Sequence, residues 1–457
     1  MRLTIDGRNV EAAEGMSILQ AAKTVGIEIP TLCYLEGISD IGACRLCVVE
    51  VEGKNELATA CNTKVKEGMV VQTASRKVID ARKAVLKLLL SNHNIDCFNC
   101  EKNGDCQLQK YCNEYDIDTT PYIGSRSLLE CDVPKKDAHP FLSYDPSKCI
   151  YCQRCVQTCR VATGRRAIKL RRTGKFTIID APFGDDWEET RCESCGNCAQ
   201  ACPTGALTIK RRKNYRAWEV KRVRTTCPHC ATGCQYDLIV KDNKIVDVEG
   251  ADGPSNHNMV CVKGRGSFDF VDHPDRVRHP LIKNKETGEF EQATWEEALD
   301  YVAKKFTELR DTYGGDCLAG FACARSANED IYMLQKMVRT AFHTNNTDNC
   351  ARVCHAPTVA GLATTLGSGA MTNTIADITQ DSDLIMLVGS NPEHAHPVLG
   401  MQIRRAVHKG TKLIVVDPRD IDLAHAADVH LKLTPGTNVA FANGMMNIIL
   451  SEGLEDR

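Results

Sequence analysis

Cysteine spacing constrains this chain more than any other feature. Cys149-x2-Cys152-x2-Cys155-x3-Cys159 recurs 43 residues later as Cys192-x2-Cys195-x2-Cys198-x3-Cys202, followed by Pro203. A double run of this kind holds two [4Fe–4S] clusters, the fourth cysteine of each run ligating the other run's cluster. Thr163-Gly164 follows the first run and Thr204-Gly205 the second, so the segment reads as an internal repeat. Arg160 stands after the first run where the pattern usually has proline, which predicts an altered local turn with ligation unaffected. A chain that lines up clusters moves single electrons.

Three further groups have ligand spacing. Cys33, Cys44, Cys47 and Cys61 are separated by 10, 2 and 13 residues, drawn from one long loop and one later position. Four such thiolates suit a [2Fe–2S] cluster. Zinc is the competing reading, although a zinc ribbon would show two close pairs and only one is present. His93-x3-Cys97-x2-Cys100-x5-Cys106 suits either zinc or a [4Fe–4S] cluster with one imidazole ligand; its position between two iron–sulfur segments favours the cluster. Cys227-x2-Cys230-x3-Cys234 with Cys261 is a fourth [4Fe–4S] candidate, and the next residues are Val262-Lys263-Gly264. Together these make one [2Fe–2S] and four [4Fe–4S] clusters from nineteen of the 25 cysteines. Cys112, Cys131, Cys317, Cys323 and Cys350 read as small buried hydrophobes. Cys354 is the remaining one.

Cysteine is about 5% of the chain, below the roughly 8–10% of a short disulfide scaffold. The 457 residues suggest three or more domains at about 150 residues each. The start, Met1-Arg2-Leu3-Thr4-Ile5, alternates like a strand and turns at Asp6-Gly7, with no secretory leader pattern. No apolar run reaches the roughly 18 residues of a membrane span. The expectation is a cytoplasmic protein without direct membrane insertion. A formal net charge of −2 gives no reason to expect nucleic acid, and the basic stretches Lys210–Lys213 and Lys221–Arg224 read as a solvated face. Helices are predicted near Ser17–Val25 and over Lys77–Leu90.

Residues 281–457 change character. Asp383–Gly389 is a buried-strand run, Ser390-Asn391-Pro392 a loop, Pro397–His408 a helix ending at Gly410, and Lys412–Asp417 the next strand. This βαβ unit implies a partly parallel sheet. Ligands sit at the carboxyl ends of such strands, which puts Gly389, Asn391 and Asp417 on the binding edge.

The stretch Asn349-Cys350-Ala351-Arg352-Val353-Cys354-His355-Ala356-Pro357-Thr358-Val359-Ala360-Gly361 resembles the active-site segment of molybdenum- or tungsten-dependent formate dehydrogenases. The resemblance implies that Cys354 ligates the metal and that His355 adjoins it, with Arg352 nearby. It implies that the Cys227–Cys261 cluster lies nearest the cofactor and that Lys263 stands between cluster and pterin. Val388–Pro397, Asp417-Pro418-Arg419 and Leu433–Asn438 resemble segments that bind the two guanosine ends of a bis-molybdopterin guanine dinucleotide. The implied contacts are Gly389, Asn391, Glu393, His396, Asp417, Arg419, Gly436 and Asn438. The first 212 residues resemble the large subunit of NADH:quinone oxidoreductase and the N-terminal part of some [FeFe]-hydrogenases, where the same clusters occur in this order; that strengthens His93 as a ligand.

The implied fold is multidomain, α+β and α/β. It comprises a β-grasp [2Fe–2S] domain over 1–76, a [4Fe–4S] domain with one-histidine three-cysteine ligation over 77–137, and a 2[4Fe–4S] ferredoxin-like domain over 138–212. A molybdopterin oxidoreductase [4Fe–4S] domain over 220–280 and an incomplete α/β domain over 281–457 follow. The family's catalytic chain continues well past the position of Arg457, and its formate-orienting arginine is expected there; either this is a fragment or a partner chain completes the site. The expected activity is oxidation of formate to carbon dioxide, or the reverse. The protein holds the metal and orients formate while the cofactor supplies the chemistry. A thiolate at Cys354 is a soft ligand suited to that metal, and His355 is placed to take up the proton. No flavin or nicotinamide fingerprint is present, so electrons are expected to pass to a flavin-containing NAD(P)-linked subunit or a ferredoxin-linked iron–sulfur subunit. The alternative is an electron-transfer subunit of a larger NADH-linked oxidoreductase, with a vestigial, metal-free molybdopterin fold.

Overall fold

A computed structural model describes the chain except residues 119, 122–137, 174, 175, 181, 183–186, 212 and 457. Cys131 and Arg212 therefore lie outside the described residues, and the side chains of 172, 173 and 176–178 are likewise not described. Two compact units result, Met1–Phe268 with Ile375–Arg457, and Asp269–Thr374.

The first unit begins as its alternating residues dictate. In the strand Arg2–Ile5, Leu3 and Ile5 face the core. Asp6 and Gly7 both take positive φ, 48° and 78°, as a two-residue hairpin turn requires, and the strand Arg8–Glu11 returns antiparallel. The helix Ile18–Thr24 starts at a capping box: Gln20 N donates to Ser17 Oγ at 3.2 Å and Ser17 N to Gln20 Oε1 at 3.0 Å. It buries Ile18, Leu19, Ala21 and Ala22 against a five-stranded sheet. The strand order is Arg8–Glu11, Arg2–Ile5, Val70–Gln72, Val48–Val51, Ala58–Thr59, with one parallel pair, Arg2–Ile5 against Val70–Gln72. Cys47 and Cys61 belong to this core.

The helix Arg76–Ser91, a residue longer at each end than predicted, buries Leu86 and Leu90. They pack with Leu108 and Cys112 of the helix Gln107–Glu114 and with Cys33, Cys44, Ile150 and Cys152 in a second core. Three cysteine groups thus meet in one apolar mass. Beyond it, the strands Leu142–Tyr144 and Leu207–Ile209 pair antiparallel and close the internal repeat. Arg160 changes the turn as predicted. Its N–H permits a helical turn over Thr158–Ala162, whereas the second half leaves its helix at Ala201, before Pro203.

An antiparallel sheet of Lys221–Thr226, Gln235–Lys241 and Lys244–Gly250 follows. Its Arg222 and Arg224 pair with Glu249 and Asp237 of the same sheet. The unit ends in a parallel sheet of Leu384–Val388, Lys412–Val416 and Val429–Leu431, with the helix Pro397–Lys409 as the predicted crossover. One expectation fails. Residues 384–388 are not a continuously buried run, for Ile385 is buried but Leu384 and Met386 are 53% and 49% exposed. The crossover helix covers one sheet face through Leu399, Ile403, Ala406 and Val407; among the described residues nothing covers the other to the same depth.

The second unit holds an antiparallel hairpin, Leu281–Lys283 with Phe290–Gln292, and the helix Trp295–Tyr313. Its strands Gly320–Ala322 and Thr347–Asn349 are parallel, with the helix Asn328–Met337 between them in sequence. Leu318, Val338 and Phe342 form a small core, with Phe306 packed edge-on to Phe342 at 4.8 Å between ring centroids. No helix among the described residues is long and apolar enough to cross a membrane.

Candidate functional site

The double cysteine run resolves into two cavities. One is lined by Cys149, Cys152, Cys155 and Cys202, the other by Cys159, Cys192, Cys195 and Cys198. Each cavity takes three cysteines from one run and the fourth from the other, as the spacing predicts. The two ligand loops also repeat their backbone. Tyr151 and Gln153 take φ of 54° and 59°, and Ser194 and Gly196 take 54° and 71°. These left-handed residues turn N–H groups toward sulfur: Tyr151 N donates to Cys149 Sγ and Ser194 N to Cys192 Sγ, both at 3.4 Å. Ala167 N donates to Cys159 Sγ at 3.2 Å.

Burial raises the Cys149, Cys192 and Cys195 thiols to about 11, 11 and 12. A thiolate there needs a metal cation, so loading releases protons. Four thiols lining one cavity suit a [4Fe–4S] cluster.

His93, Cys97, Cys100 and Cys106 line one cavity, closed on a further side by Gly205. A Cβ at Gly205 would lie 2.5 Å from Cys100 Sγ. The absent side chain is what leaves the space. His93 is buried, which suits an imidazole ligand aimed inward. In the first loop, Cys33 lies in hydrogen-bonding reach of Cys44 and Cys61, and Cys61 also of Cys47. Hydrogen bonds from Cys44 and Cys61 hold the Cys33 thiol well below its usual range, and Cys44 and Cys61 are raised in turn. Cys47 is lowered by its bond with Cys61. The four thiols thus form one connected group in the order Cys44, Cys33, Cys61, Cys47.

Cys227, Cys230, Cys234 and Cys261 also sit together; their charges act on one another, and burial pushes Cys234 up to about 12. Cys227 N donates to Cys234 O at 2.8 Å. Cys261 caps the short helix Val262–Gly266, which carries Lys263. Lys263 Nζ donates to the carbonyl of His394 at 3.0 Å. The lysine therefore links this cysteine group to the short helix Pro392–Ala395 that follows the strand Leu384–Val388.

At that sheet edge, Gly389 takes φ +60° as the chain leaves the strand, and its N–H bonds Val416 O at 2.8 Å. Asn391 Oδ1 is buried with no hydrogen-bond partner, an acceptor available to a polar ligand. Asp417 is buried and held low in pKa by Arg419, whose Nε and Nη2 donate to it at 3.0 and 2.9 Å. Glu393 is buried between Arg404 and Arg165. Arg165 also pairs with Glu193 and, at 2.8 Å, Asp422, so this carboxylate clips the loop to the Cys192 segment. His396 begins the helix Pro397–Lys409, and Gly436 (φ +91°) and Asn438 lie at the start of the helix Asn438–Ser451. Gly389, Arg419, Gly436 and Asn438 are exposed at this edge, while Asp417 and Glu393 are buried in ion pairs with arginines.

In the second unit, Cys354 ends the short helix Ala351–Cys354 that follows the carboxyl end of the strand Thr347–Asn349. His355 breaks the helix at φ −141°, and Ala356–Leu366 continues. Both side chains are exposed. Arg352 forms a 3.0 Å ion pair with Asp348. The expectation for the spare cysteines holds for Cys112, buried and pushed up to about 11. It fails for Cys317, Cys323 and Cys350, which are exposed. Cys350 Sγ instead accepts Ala324 N at 3.3 Å, on a unit whose apolar core is small.

His139 was not legible as a site residue. Its Nδ1 accepts the N–H groups of Phe141 and Leu142, so the ring proton sits on Nε2, 3.6 Å from Cys192 Sγ. Burial, then the nearby Lys210 charge, lowers its pKa to about 4. It is thus a neutral donor to a ligand sulfur.

Known families match in the same order. Residues 1–76 match the 2Fe-2S iron-sulfur cluster binding domain, and 82–121 the NADH-ubiquinone oxidoreductase-G iron-sulfur binding region. Residues 186–208 match the 4Fe-4S binding domain, 220–273 the molybdopterin oxidoreductase Fe4S4 domain, and 276–457 molybdopterin oxidoreductase itself. The chain is thus an iron–sulfur protein of the molybdopterin oxidoreductase family, with N-terminal [2Fe–2S] and NADH-G-type [4Fe–4S] domains. It is 36% identical over its whole length to the "NADPH-Fe(3+) oxidoreductase subunit alpha" of Geobacter sulfurreducens, covering 52% of that protein. It is 32% identical to "Probable oxidoreductase YjgC" of Bacillus subtilis over 99% of the chain and 49% of the relative. It is 30% identical to "Putative formate dehydrogenase SAV2309" of Staphylococcus aureus over 100% and 50%. The chain spans about half the length of these relatives.

Proposed function

We propose that this chain carries the metal-binding segment and the cluster relay of a molybdopterin-dependent formate dehydrogenase. The observation that carries the proposal is the Lys263–His394 hydrogen bond, which ties the Cys261 helix to the candidate pterin edge. On this reading Cys354 holds molybdenum or tungsten, and His355 takes up the proton at a ring nitrogen. Gly389, Asn391, His396, Asp417, Arg419, Gly436 and Asn438 bind the dinucleotide, while Glu393 positions its loop. When bound, the metal–pterin group supplies two-electron chemistry and the clusters carry electrons singly.

The chain's own part is a relay of one [2Fe–2S] and four [4Fe–4S] clusters over the five domains given above, the first of them a β-grasp. With clusters loaded, the Cys227 group would pass electrons to the Cys159–Cys192–Cys195–Cys198 group, this to the Cys149–Cys152–Cys155–Cys202 group, and this to the His93 and Cys33 groups. The final acceptor is a partner subunit with a flavin and NAD(P), or a ferredoxin-linked one. The printed name of the Staphylococcus aureus relative supports formate as substrate. The second reading is an electron-transfer subunit of a larger NADH-linked oxidoreductase with a vestigial, metal-free molybdopterin fold; the Geobacter sulfurreducens name favours its nicotinamide-linked part. Elemental analysis of the purified holoenzyme separates them. Iron with molybdenum or tungsten is expected here; iron with neither metal would favour the second reading, and zinc in place of iron would refute both.

A further inference from the structure

Two buried arginines stand where cysteine cavities meet, and no role given so far uses them. Arg265 is 2% exposed. Its Nε donates to Cys195 O at 2.8 Å, and its Nη2 to Asn197 Oδ1 at 3.0 Å and Gln200 Oε1 at 2.8 Å. Asn197 and Gln200 are themselves fixed, donating to Val260 O and Gly250 O at 2.9 and 2.8 Å. Gly196 leaves the passage, since a Cβ there would lie 2.7 Å from Arg265 Cδ. Arg265 sits four residues after Cys261, so its guanidinium joins the Cys227–Cys261 group to the Cys195 loop.

Arg154 lies within the other run itself, between Cys152 and Cys155, at the repeat position of Asn197, and is 9% exposed. Its Nη1 donates to Oε1 of Gln107, the residue after Cys106, at 2.7 Å, and its Nε is buried without a hydrogen-bond partner. Gln107 N in turn donates to Pro203 O at 3.0 Å, beside Cys202.

The hydrogen bonds of both arginines go to neutral oxygens. Arg165 and Arg404, also buried, are instead matched by Glu193, Glu393 and Asp422. A dry guanidinium with no carboxylate bonded to it is costly unless anions lie close. Burial lowers the pKa of each; the leading opposing charge is Cys195 for Arg265, ahead of Asp247, Cys198 and Glu249, and Cys152, then Cys202, for Arg154.

We propose that Arg265 and Arg154 are the fixed counter-cations of the two ferredoxin-like clusters, each raising the potential of the cluster whose ligand loop it underlies. Arg265 serves the Cys159–Cys192–Cys195–Cys198 cluster and Arg154 the Cys149–Cys152–Cys155–Cys202 cluster. The inference rests on the reading that these eight cysteines hold two clusters. A cluster with four thiolate ligands is net negative, and reduction adds one electron and no proton. A preorganised cation in a low-dielectric site stabilises the reduced form more than the oxidised one.

The test is a redox titration, followed by electron paramagnetic resonance, of the cluster-loaded holoenzyme carrying Arg265→Gln, Arg154→Gln, Arg265→Lys or Arg154→Lys. Each Gln variant is expected to move one [4Fe–4S] signal to more negative potential, a different signal for each. Each Lys variant keeps the charge and is expected to shift that signal less. A Gln variant with full iron content and unmoved signals overturns the proposal, as do Lys variants that shift as far as Gln. Where a Gln variant fails to load, Gly196→Ala or Gln107→Ala decides, because each displaces the guanidinium without removing it. Movement of the same single signal supports the assignment, and no movement overturns it. A wild-type protein lacking two such signals would instead refute the underlying cluster reading.

Discussion

Gly205→Ala is the perturbation whose consequence the geometry specifies most closely. The added methyl would sit 2.5 Å from Cys100 Sγ, about 1 Å inside an ordinary nonbonded contact. Retreat is blocked, because Lys148 Cδ and Lys102 Cβ lie 3.7 and 3.8 Å from the same point. Backbone angles are not the issue, since Gly205 is not among the positive-φ residues. Cys100 must therefore move by several tenths of an ångström or more, whereas metal ligands tolerate about 0.2 Å. Overpacking of this kind costs about 1–3 kcal/mol, a factor of roughly 5 to 150 in the occupancy of the native loop. The expected result is loss of one [4Fe–4S] complement of iron and of one cluster signal, with the other signals unchanged. Gly444→Ala, in the helix Asn438–Ser451 with open space around it, is the matched control and keeps full iron. A Gly205→Ala protein with wild-type iron and spectra would refute the cavity assignment for His93, Cys97, Cys100 and Cys106.

Other consequences follow from single contacts. Ser17→Ala removes the cap of the helix Ile18–Thr24 and is expected to cost about 1 kcal/mol, read as a lower urea midpoint. His139→Phe removes the donor to Cys192 Sγ and is expected to lower the potential of one [4Fe–4S] cluster; an unmoved titration would contradict the tautomer argued above. His139 also carries a pH signature. Its folded pKa, about 4, lies below its ordinary 6.5, so the unfolded chain binds the extra proton between those values. Its contribution to stability is complete above about 6.5 and is lost as pH falls toward 4. The urea midpoint of wild type is therefore expected to fall more than that of His139→Phe between pH 7 and pH 5. Lys263→Met removes the bond to His394 O and is expected to slow cluster reduction by formate in stopped-flow traces while leaving iron content intact.

Much of this was readable from local pattern. Ligand spacing pointed to the cross-assembled cavities and to which residues form the Cys33 and His93 groups, while the choice of cluster over zinc in the latter two drew on their neighbours and on the resemblance. The hairpin at Asp6-Gly7, the Ser17–Gln20 capping box and the Pro397–Lys409 crossover are likewise short-range devices. What was not readable depends on packing between distant segments. Arg265 belongs to the cysteine group before it in sequence, yet its hydrogen bonds go to residues near Cys195, 70 positions away. Gly205 and Gly196 look like turn glycines but are needed for side chains from elsewhere. The strand Leu384–Val388 is apolar throughout and reads as doubly covered, although among the described residues a helix covers one face alone. Cys317, Cys323 and Cys350 could not be separated from Cys112 by residue type alone.

On the proposed function, the relay ends at a metal held by Cys354. Formate-dependent dye reduction by the holoenzyme carrying Cys354→Ala, measured beside its iron content and cluster spectra, tests it directly. The prediction is complete loss of formate activity with iron and spectra unchanged. Formate activity that survives the substitution would contradict the claim.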